Sequence, residues 1–109
     1  MNYLETVNRY FASFLKKDIG ALSSLLSSDV TLRDWTMLER GRTNVLDATQ
    51  RIFDSCGSIA IDVKGILTGD RFAVAEIDIF FDDLDALHVV DVYEFDNDGK
   101  INFIRAFKG

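Results

Sequence analysis

Apolar residues at the start of the chain follow the spacing of an amphipathic helix. One stripe consists of Tyr3, Val7, Tyr10, Phe11 and Phe14, which recur every three or four positions. Residues at that spacing lie on the same side of a helix and can be buried together. A core-facing helix is therefore predicted at the beginning of the chain.

Capping residues and a change of spacing divide the first half further. Asn2 with Glu5 forms a capping pair for the first helix, and Asp18 suits the start of a second, short helix. The apolar positions of this second helix are Ile19, Leu22, Leu25 and Leu26. We then expect a short strand, Val30–Trp35, followed by a third helix at about Asn44–Ser55.

From Ile59 onward the apolar residues alternate with polar ones. Four such runs lie near Ile59–Thr68, Arg71–Phe81, His88–Asp96 and Lys100–Phe107, and turn-forming residues separate them. Consecutive strands joined by short turns form an antiparallel meander. The predicted fold class is therefore α+β, with N-terminal helices packed on one face of a curved, mainly antiparallel sheet.

Length and charge restrict the possible partners. The 109 residues, 48% of them apolar, are enough for a single domain over residues 1–109. Eighteen acidic against twelve basic residues give a net charge of −6, which argues against nucleic acid or an anionic membrane as a partner. The sequence has neither a long apolar run nor the layout of a signal peptide, so a cytoplasmic location is expected.

Metal and nucleophile chemistry has little support in the composition. Cys56 is the only cysteine, which leaves no internal disulfide and no thiolate cluster. His88 is the only histidine, so a histidine-rich metal site and a Ser/His/Asp triad are both unsupported. We expect no metal and no cofactor.

Asp91 is a polar residue at a position where the strand pattern expects an apolar one. Its same-face neighbours along the strand are Val89 and Tyr93, and a symmetric hairpin puts it opposite Ile77. Hydrocarbon surroundings favour the neutral form of a carboxyl group and raise its pKa. Asp91 would then be a hydrogen-bond donor at neutral pH.

A second register for this strand remains open. If the pairing shifts by one residue, Asp91 lies opposite Glu76 or Asp78 on a solvated face. The buried register is the preferred interpretation, because Ile77 and Ile79 on the preceding strand need a core to face.

Two further residues join Asp91 as candidates. Tyr10 lies on the apolar stripe of the first helix, where an aromatic residue is usually part of the core, but a buried hydroxyl needs a partner. Asp34 ends the first strand beside Trp35, where a carboxylate could act as a general base in a partly dry pocket. The alternative for Asp34 is an ordinary loop residue.

Two segments carry a resemblance to a known family. They are residues 8–34, which include NRYF at 8–11 and DVTLRD at 29–34, and residues 89–107, which include VVDVYEFD and the turn GKI. With the order of elements, they resemble the nuclear transport factor 2-like cone, a superfamily that includes SnoaL-like cyclases and ketosteroid isomerases. The isomerase-like branch is the nearest in pattern.

The resemblance implies a role for each candidate. Tyr10 falls where the isomerases place the tyrosine of their oxyanion hole, and Asp91 where they place the protonated aspartic acid that shares it. Asp34 falls on the aspartate that shuttles the proton. The implied reaction is proton abstraction next to a carbonyl without a cofactor, with the dienolate oxygen held by Tyr10 and Asp91.

The chain departs from the isomerase pattern at several positions. Leu26 and Thr49 stand where further tyrosines surround the catalytic one, and Trp35 and Thr36 replace a segment that usually contains proline. Lys108 stands near the place where a large aromatic closes the pocket. These departures weaken the case for a steroid substrate.

The predicted function is a cofactor-independent acid–base enzyme, of ketosteroid isomerase-like type or a SnoaL-like cyclase, for a small hydrophobic carbonyl compound. The alternative is a non-catalytic module that binds small ligands or assembles as a dimer. The expected pocket wall includes Phe14, Trp35, Phe53, Ile77, Val89, Tyr93 and Ile104. A homodimer is expected through the other sheet face, which carries Phe72, Val74 and Phe80.

Overall fold

Three helices cover one face of a six-stranded sheet. The computed structural model describes residues 1–109. Its elements are α1 (Tyr3–Leu15), α2 (Ile19–Leu25), β1 (Leu26–Arg33), β2 (Leu38–Arg40), α3 (Arg42–Asp54), β3 (Ile59–Gly69), β4 (Phe72–Phe81), β5 (Leu87–Phe95) and β6 (Ile101–Lys108). This arrangement confirms the predicted α+β class. None of the helices is long and apolar enough to cross a membrane.

Side-chain caps fix the starts of the first two helices. Asn2 Oδ1 accepts a hydrogen bond from the Glu5 amide at 2.9 Å, and Asp18 Oδ1 accepts one from the Ala21 amide at 3.0 Å. Each cap satisfies an amide that the first turn of a helix leaves without a partner, so both predicted caps are confirmed. Leu26, in contrast, lies beyond the second helix as the first residue of β1.

The sheet has the order β2-β1-β6-β5-β4-β3. Strands β3 to β6 form the predicted antiparallel meander, whereas β1 pairs with β6 in parallel. β1 runs from Leu26 to Arg33, earlier than the predicted Val30–Trp35, and Trp35 lies in the loop that follows it. β2 was not predicted, because the three residues Leu38–Arg40 are too few to show an alternating pattern.

The core lies between the helices and the inner face of the sheet. α1 packs against β3 and β4, and α3 packs against β1. Both layers contribute buried apolar side chains, among them Val7, Phe11, Val30, Val45, Ile77, Tyr93, Phe95, Ile101 and Ile104. Burial of these side chains is the main force that holds the helices on the sheet.

Asp91 lies on the inner face, as predicted, but its register differs from the prediction. Its partner on β4 is Ala75, and Ile77 pairs with Val89 instead. The pairs Ile79–Leu87 and Ala75–Asp91 centre the hairpin on Asp83, one residue before the centre that would pair Asp91 with Ile77. Next to this centre, Asp82 follows β4 with φ 53°, and its carboxylate accepts hydrogen bonds from the loop after α3. Since side chains alternate between faces, a shift of the partner from Ile77 to Ala75 keeps Asp91 on the buried side.

The outer face of the sheet carries exposed apolar side chains. Leu67, Phe72 and Phe107 expose 74%, 42% and 57% of their surface, whereas Val74 and Phe80 on the same face are half-buried. The Arg105–Glu94 ion pair and a hydrogen bond between His88 and Asp78 lie among them. Pairing of two chains through this face stays a prediction.

If the outer face pairs two chains, the protein in solution has twice the 12.3 kDa mass of one chain. Phe107→Glu places a charge among the exposed apolar residues and should convert this species to a monomer. Light scattering after size-exclusion chromatography measures the mass. Leu4→Glu, on the exposed side of α1, is the matched control and should leave the mass unchanged. A wild-type monomer at high micromolar concentration contradicts the prediction.

Candidate active site

A largely apolar cavity of about 420 Å³ lies between the helices and the inner face of the sheet. Helix residues on its wall are Tyr10, Phe11, Phe14, Thr49 and Ile52. Sheet residues are Leu32, Ile61, Ile77, Ile79, Phe81, Leu87, Asp91, Ile104 and Ala106, and loop residues are Asp34, Trp35, Thr36, Met37, Ser55, Cys56, Asp82 and Leu84. A cavity of this size, with a few polar groups in apolar walls, suits a small organic ligand.

Asp91 brings a carboxyl group to the cavity wall from the middle of β5. Its cross-strand neighbours are Ala75 on β4, which is completely buried, and Ala106 on β6, which borders the cavity. Asp91 is 8% exposed, and its Oδ2 accepts a hydrogen bond from the Tyr93 hydroxyl at 2.8 Å. The small side chain of Ala106 thus leaves a hollow in the sheet in which one acid faces the cavity.

Burial raises the pKa of Asp91 from its ordinary 3.8 to about 6. The hydrogen bond from Tyr93 opposes this rise because it favours the ionised form, whereas the negative charge of Asp34 adds to it. A pKa of about 6 leaves the carboxyl group largely ionised at neutral pH. The prediction that Asp91 is a donor at neutral pH therefore needs a ligand that raises the pKa further.

Tyr10 presents a phenol to the same cavity from α1. Its ring packs edge-on against Tyr93, with centroids 5.5 Å apart, and its hydroxyl has no hydrogen-bond partner within the chain. Burial, and then the charge of Asp91, raise the pKa of Tyr10 well above its ordinary value. The hydroxyl stays protonated and is free to donate a hydrogen bond to a ligand.

Asp34 lines the cavity from the turn that follows β1. Its Oδ1 accepts hydrogen bonds from the Thr36 amide at 2.7 Å, the Met37 amide at 2.9 Å and the Thr36 hydroxyl at 3.1 Å. A backbone bond from Asp34 to the Met37 carbonyl, 3.0 Å long, closes the turn. One oxygen is therefore fixed by three donors, and the other accepts no hydrogen bond from the chain.

Trp35 and Lys108 meet at the edge of the cavity. Trp35 is 44% exposed, and the Lys108 ammonium lies 5.9 Å from the centroid of its indole ring. Lys108 itself does not line the cavity. The position where isomerases are expected to have a closing aromatic thus carries a cation that covers the Trp35 ring instead.

Three residues predicted for the pocket wall lie behind it. Phe53 packs edge-on against Phe14 with ring centroids 5.0 Å apart, Val89 is buried in the core, and Tyr93 is turned toward Asp91. The structure places the other four, Phe14, Trp35, Ile77 and Ile104, on the wall. The difference arises because the cavity extends toward β3 and the β4–β5 hairpin rather than toward the centre of the core.

The sequence pattern did not predict the cavity wall on the side of β3 and the β4–β5 hairpin. Ile61 on β3, Ile79 and Phe81 on β4, and Leu84 in the hairpin line it. The alternation of Ile77, Ile79 and Phe81 in the sequence already indicated an inward face, but it could not distinguish a filled core from a cavity wall. No group of three or more His, Cys, Asp or Glu side chains is arranged to hold a metal ion.

Comparison with known proteins places the fold in context. A family model described as the SnoaL-like domain matches residues 7–104. None of the curated proteins matches the sequence significantly. Many solved structures share the fold at low identity, which is evidence of fold alone.

Three solved structures illustrate the range. A cystatin-like protein of unknown function from Methylobium petroleophilum has a TM-score of 0.87 and 16% identity, over 98% of this chain and 75% of that one. A proposed ketosteroid isomerase from Kribbella flavida has a TM-score of 0.84 and 19% identity, over 96% and 76%. An LEH-like epoxide hydrolase from M. tuberculosis has a TM-score of 0.83 and 15% identity, over 98% and 82%.

The raised pKa of Asp91 predicts how stability depends on pH. The folded chain binds this proton more tightly than the unfolded chain, so the benefit of the neutral form is complete below pH 3.8 and is lost as the pH rises through about 6. The loss amounts to about 3 kcal/mol. Asp91→Asn cannot ionise and should be more stable than the wild type at pH 7 by a similar amount.

Urea unfolding of both proteins between about pH 4 and about pH 7 measures the difference. Asp98→Asn, which removes an exposed carboxylate in the β5–β6 turn, is the control and should follow the wild-type curve. A constant difference between Asp91→Asn and the wild type across this range is incompatible with a buried, titrating carboxyl group.

Proposed function

Because this chain belongs to the SnoaL-like domain family, whose fold serves isomerases, cyclases and epoxide hydrolases, we propose that it is a cofactor-independent acid–base enzyme. Its substrate class is a small hydrophobic carbonyl compound, and its reaction is of ketosteroid isomerase-like type. One observation supports this above the rest: a single apolar cavity is bordered by Tyr10, Asp34 and Asp91.

Two of these groups would stabilise negative charge on the carbonyl oxygen. When a proton is removed from the α-carbon of a β,γ-unsaturated carbonyl compound, the electrons of the C–H bond move onto the carbonyl oxygen and form a dienolate. The Tyr10 hydroxyl and the neutral Asp91 carboxyl can each donate a hydrogen bond to that oxygen. Such donors, fixed in advance in a site that excludes water, are worth far more than the same groups in solution.

Asp34 is the base in this proposal. It would take the proton from the carbon next to the carbonyl and return it to the γ-carbon, which moves the double bond into conjugation and restores the carboxylate. Its hydrogen bonds to Thr36 and Met37 hold one oxygen in place, so the other can move a proton without reorientation of the side chain.

The proposed reaction needs Asp91 neutral and Asp34 ionised, and the surroundings of the two carboxyl groups favour these different states. Asp91 is flanked by alanines and hydrocarbon, whereas Asp34 is half-buried in a turn rich in donors. An apolar ligand that displaces water from the cavity increases the desolvation of Asp91 and raises its pKa above 6. Protonation of Asp91 is thus coupled to the binding of substrate.

A non-catalytic ligand-binding module is the alternative, and the same cavity serves it. Trp35 distinguishes binding from chemistry, since the only tryptophan of the chain borders the cavity and reports occupancy through its fluorescence. A binding module would show saturable quenching of Trp35 by apolar ketones and would leave them unchanged.

Catalysis is tested with a panel of small β,γ-unsaturated ketones, whose conversion to the conjugated isomers changes their ultraviolet absorbance. The wild type should convert at least one of them, and Asp34→Asn should lower kcat by about a hundredfold or more, because amide nitrogen and oxygen cannot act as the base. Binding measured through Trp35 should change little.

Asp83→Asn is the matched control for this experiment. Asp83 is an exposed carboxylate of the β4–β5 hairpin outside the cavity wall, so its loss should leave kcat unchanged. If the wild type and Asp34→Asn are equally inert toward ketones that quench Trp35, the enzyme proposal is rejected and the binding module remains.

A further inference from the structure

Tyr93 is a buried tyrosine behind Asp91 to which the proposed reaction gives no task. Its side chain is completely buried, does not border the cavity, and meets the rings of Tyr10 and Phe11 edge-on at 5.5 and 6.3 Å. Its hydroxyl makes one hydrogen bond, to Asp91 Oδ2 at 2.8 Å. The contact joins a phenol and a carboxyl group on the same face of β5.

The Tyr93 hydroxyl has one proton and, in this enclosure, one acceptor. If Asp91 donated its acid proton to Tyr93, the phenolic proton would point into hydrocarbon, which is unfavourable for a buried donor. Tyr93 therefore donates to Oδ2 in both protonation states of Asp91. It follows that a proton taken up by Asp91 resides on Oδ1.

Oδ1 is also the oxygen that remains for a ligand. Asp91 borders the cavity, and its cross-strand neighbours Ala75 and Ala106 bring no side-chain charge or acceptor to it. The titratable groups that act on Asp91 are Tyr93 on its own strand, Tyr10 from α1 and Asp34 from the loop after β1. None of these competes with a ligand for the Oδ1 proton through a hydrogen bond.

We propose that Tyr93 is a positioning residue: its hydroxyl fixes the carboxyl plane of Asp91 and keeps the acid proton on Oδ1, directed into the cavity. The catalytic consequence rests on the proposed function, because only a proton on the cavity side can be donated to the dienolate oxygen. The placement of the proton does not rest on it.

Tyr93→Phe removes the hydroxyl and keeps the ring, so it separates positioning from packing. The ionised form of Asp91 loses a charge-assisted hydrogen bond, and its titration midpoint should rise by about one unit. At a pH at which Asp91 is neutral in both proteins, kcat on a converted ketone should fall about tenfold with KM little changed, because the proton is no longer confined to Oδ1. If Tyr93 had only a structural role, Tyr93→Phe would not raise the titration midpoint of Asp91.

Carboxyl-carbon NMR of Asp91 measures the midpoint, and Tyr3→Phe is the matched control. Tyr3 stacks on Phe95 at 4.4 Å outside the cavity wall, so its hydroxyl should affect neither the titration nor kcat. An unchanged or lowered midpoint in Tyr93→Phe overturns the inference. A raised midpoint in a protein that converts no ketone keeps the hydrogen bond from Tyr93, on which the proton placement rests, and rejects only the enzyme proposal.

If Tyr93→Phe does not fold, the wild type itself supplies the test. A donated hydrogen bond inside the core gives the Tyr93 hydroxyl proton a slowly exchanging, downfield NMR signal whose shift follows the titration of Asp91. A hydroxyl signal that is independent of pH across that titration overturns the inference.

Discussion

Asp91 lies on the buried face of β5, where its ionised form is unfavourable. The size of the side chains around it determines whether the space beside its carboxyl group is filled or remains part of the cavity. The small side chain of Ala106 on the neighbouring strand leaves space beside the carboxyl group, and Tyr93 satisfies one of its oxygens. A larger residue at Ala106 would cover the acid and remove the cavity at that point. The hollow and the buried acid are thus one structural feature, and the remaining candidates are arranged around it.

Different elements of the fold place Tyr10 and Asp34 beside the hollow. α1 packs across β3 and β4 and carries Tyr10 inward on the same stripe that holds Val7 and Phe11 in the core. The parallel pairing of β1 with β6 places the end of β1, and with it Asp34, on the same side of the sheet as Ala106. A phenol and two carboxyl groups that are far apart in sequence therefore share one apolar space.

Local signals account for what the sequence could predict. Helix caps, turn residues and the alternation in the second half are short-range features, and they gave the elements of the meander and the face on which Asp91 lies. The predicted partner of Asp91 was wrong because the position of the hairpin turn depends on long-range contacts. Asp82 makes such contacts, since its carboxylate accepts hydrogen bonds from a loop distant in sequence. The wall formed by Ile61 and Leu84 depends in the same way on how separate elements meet, as does the position of Phe53 behind Phe14.

The buried acid also makes ligand affinity a function of pH. A ligand whose oxygen accepts a hydrogen bond from Asp91 binds the neutral form more tightly than the ionised form, so it raises the pKa of Asp91. By linkage, acidification must strengthen the binding of that ligand by the same factor. Because this pKa of about 6 lies close to neutral pH, a modest difference in affinity between the two forms is enough to change the protonation state on binding. A ligand with such an acceptor would therefore make the carboxyl group a donor, and the group would return to its ionised form when the ligand leaves.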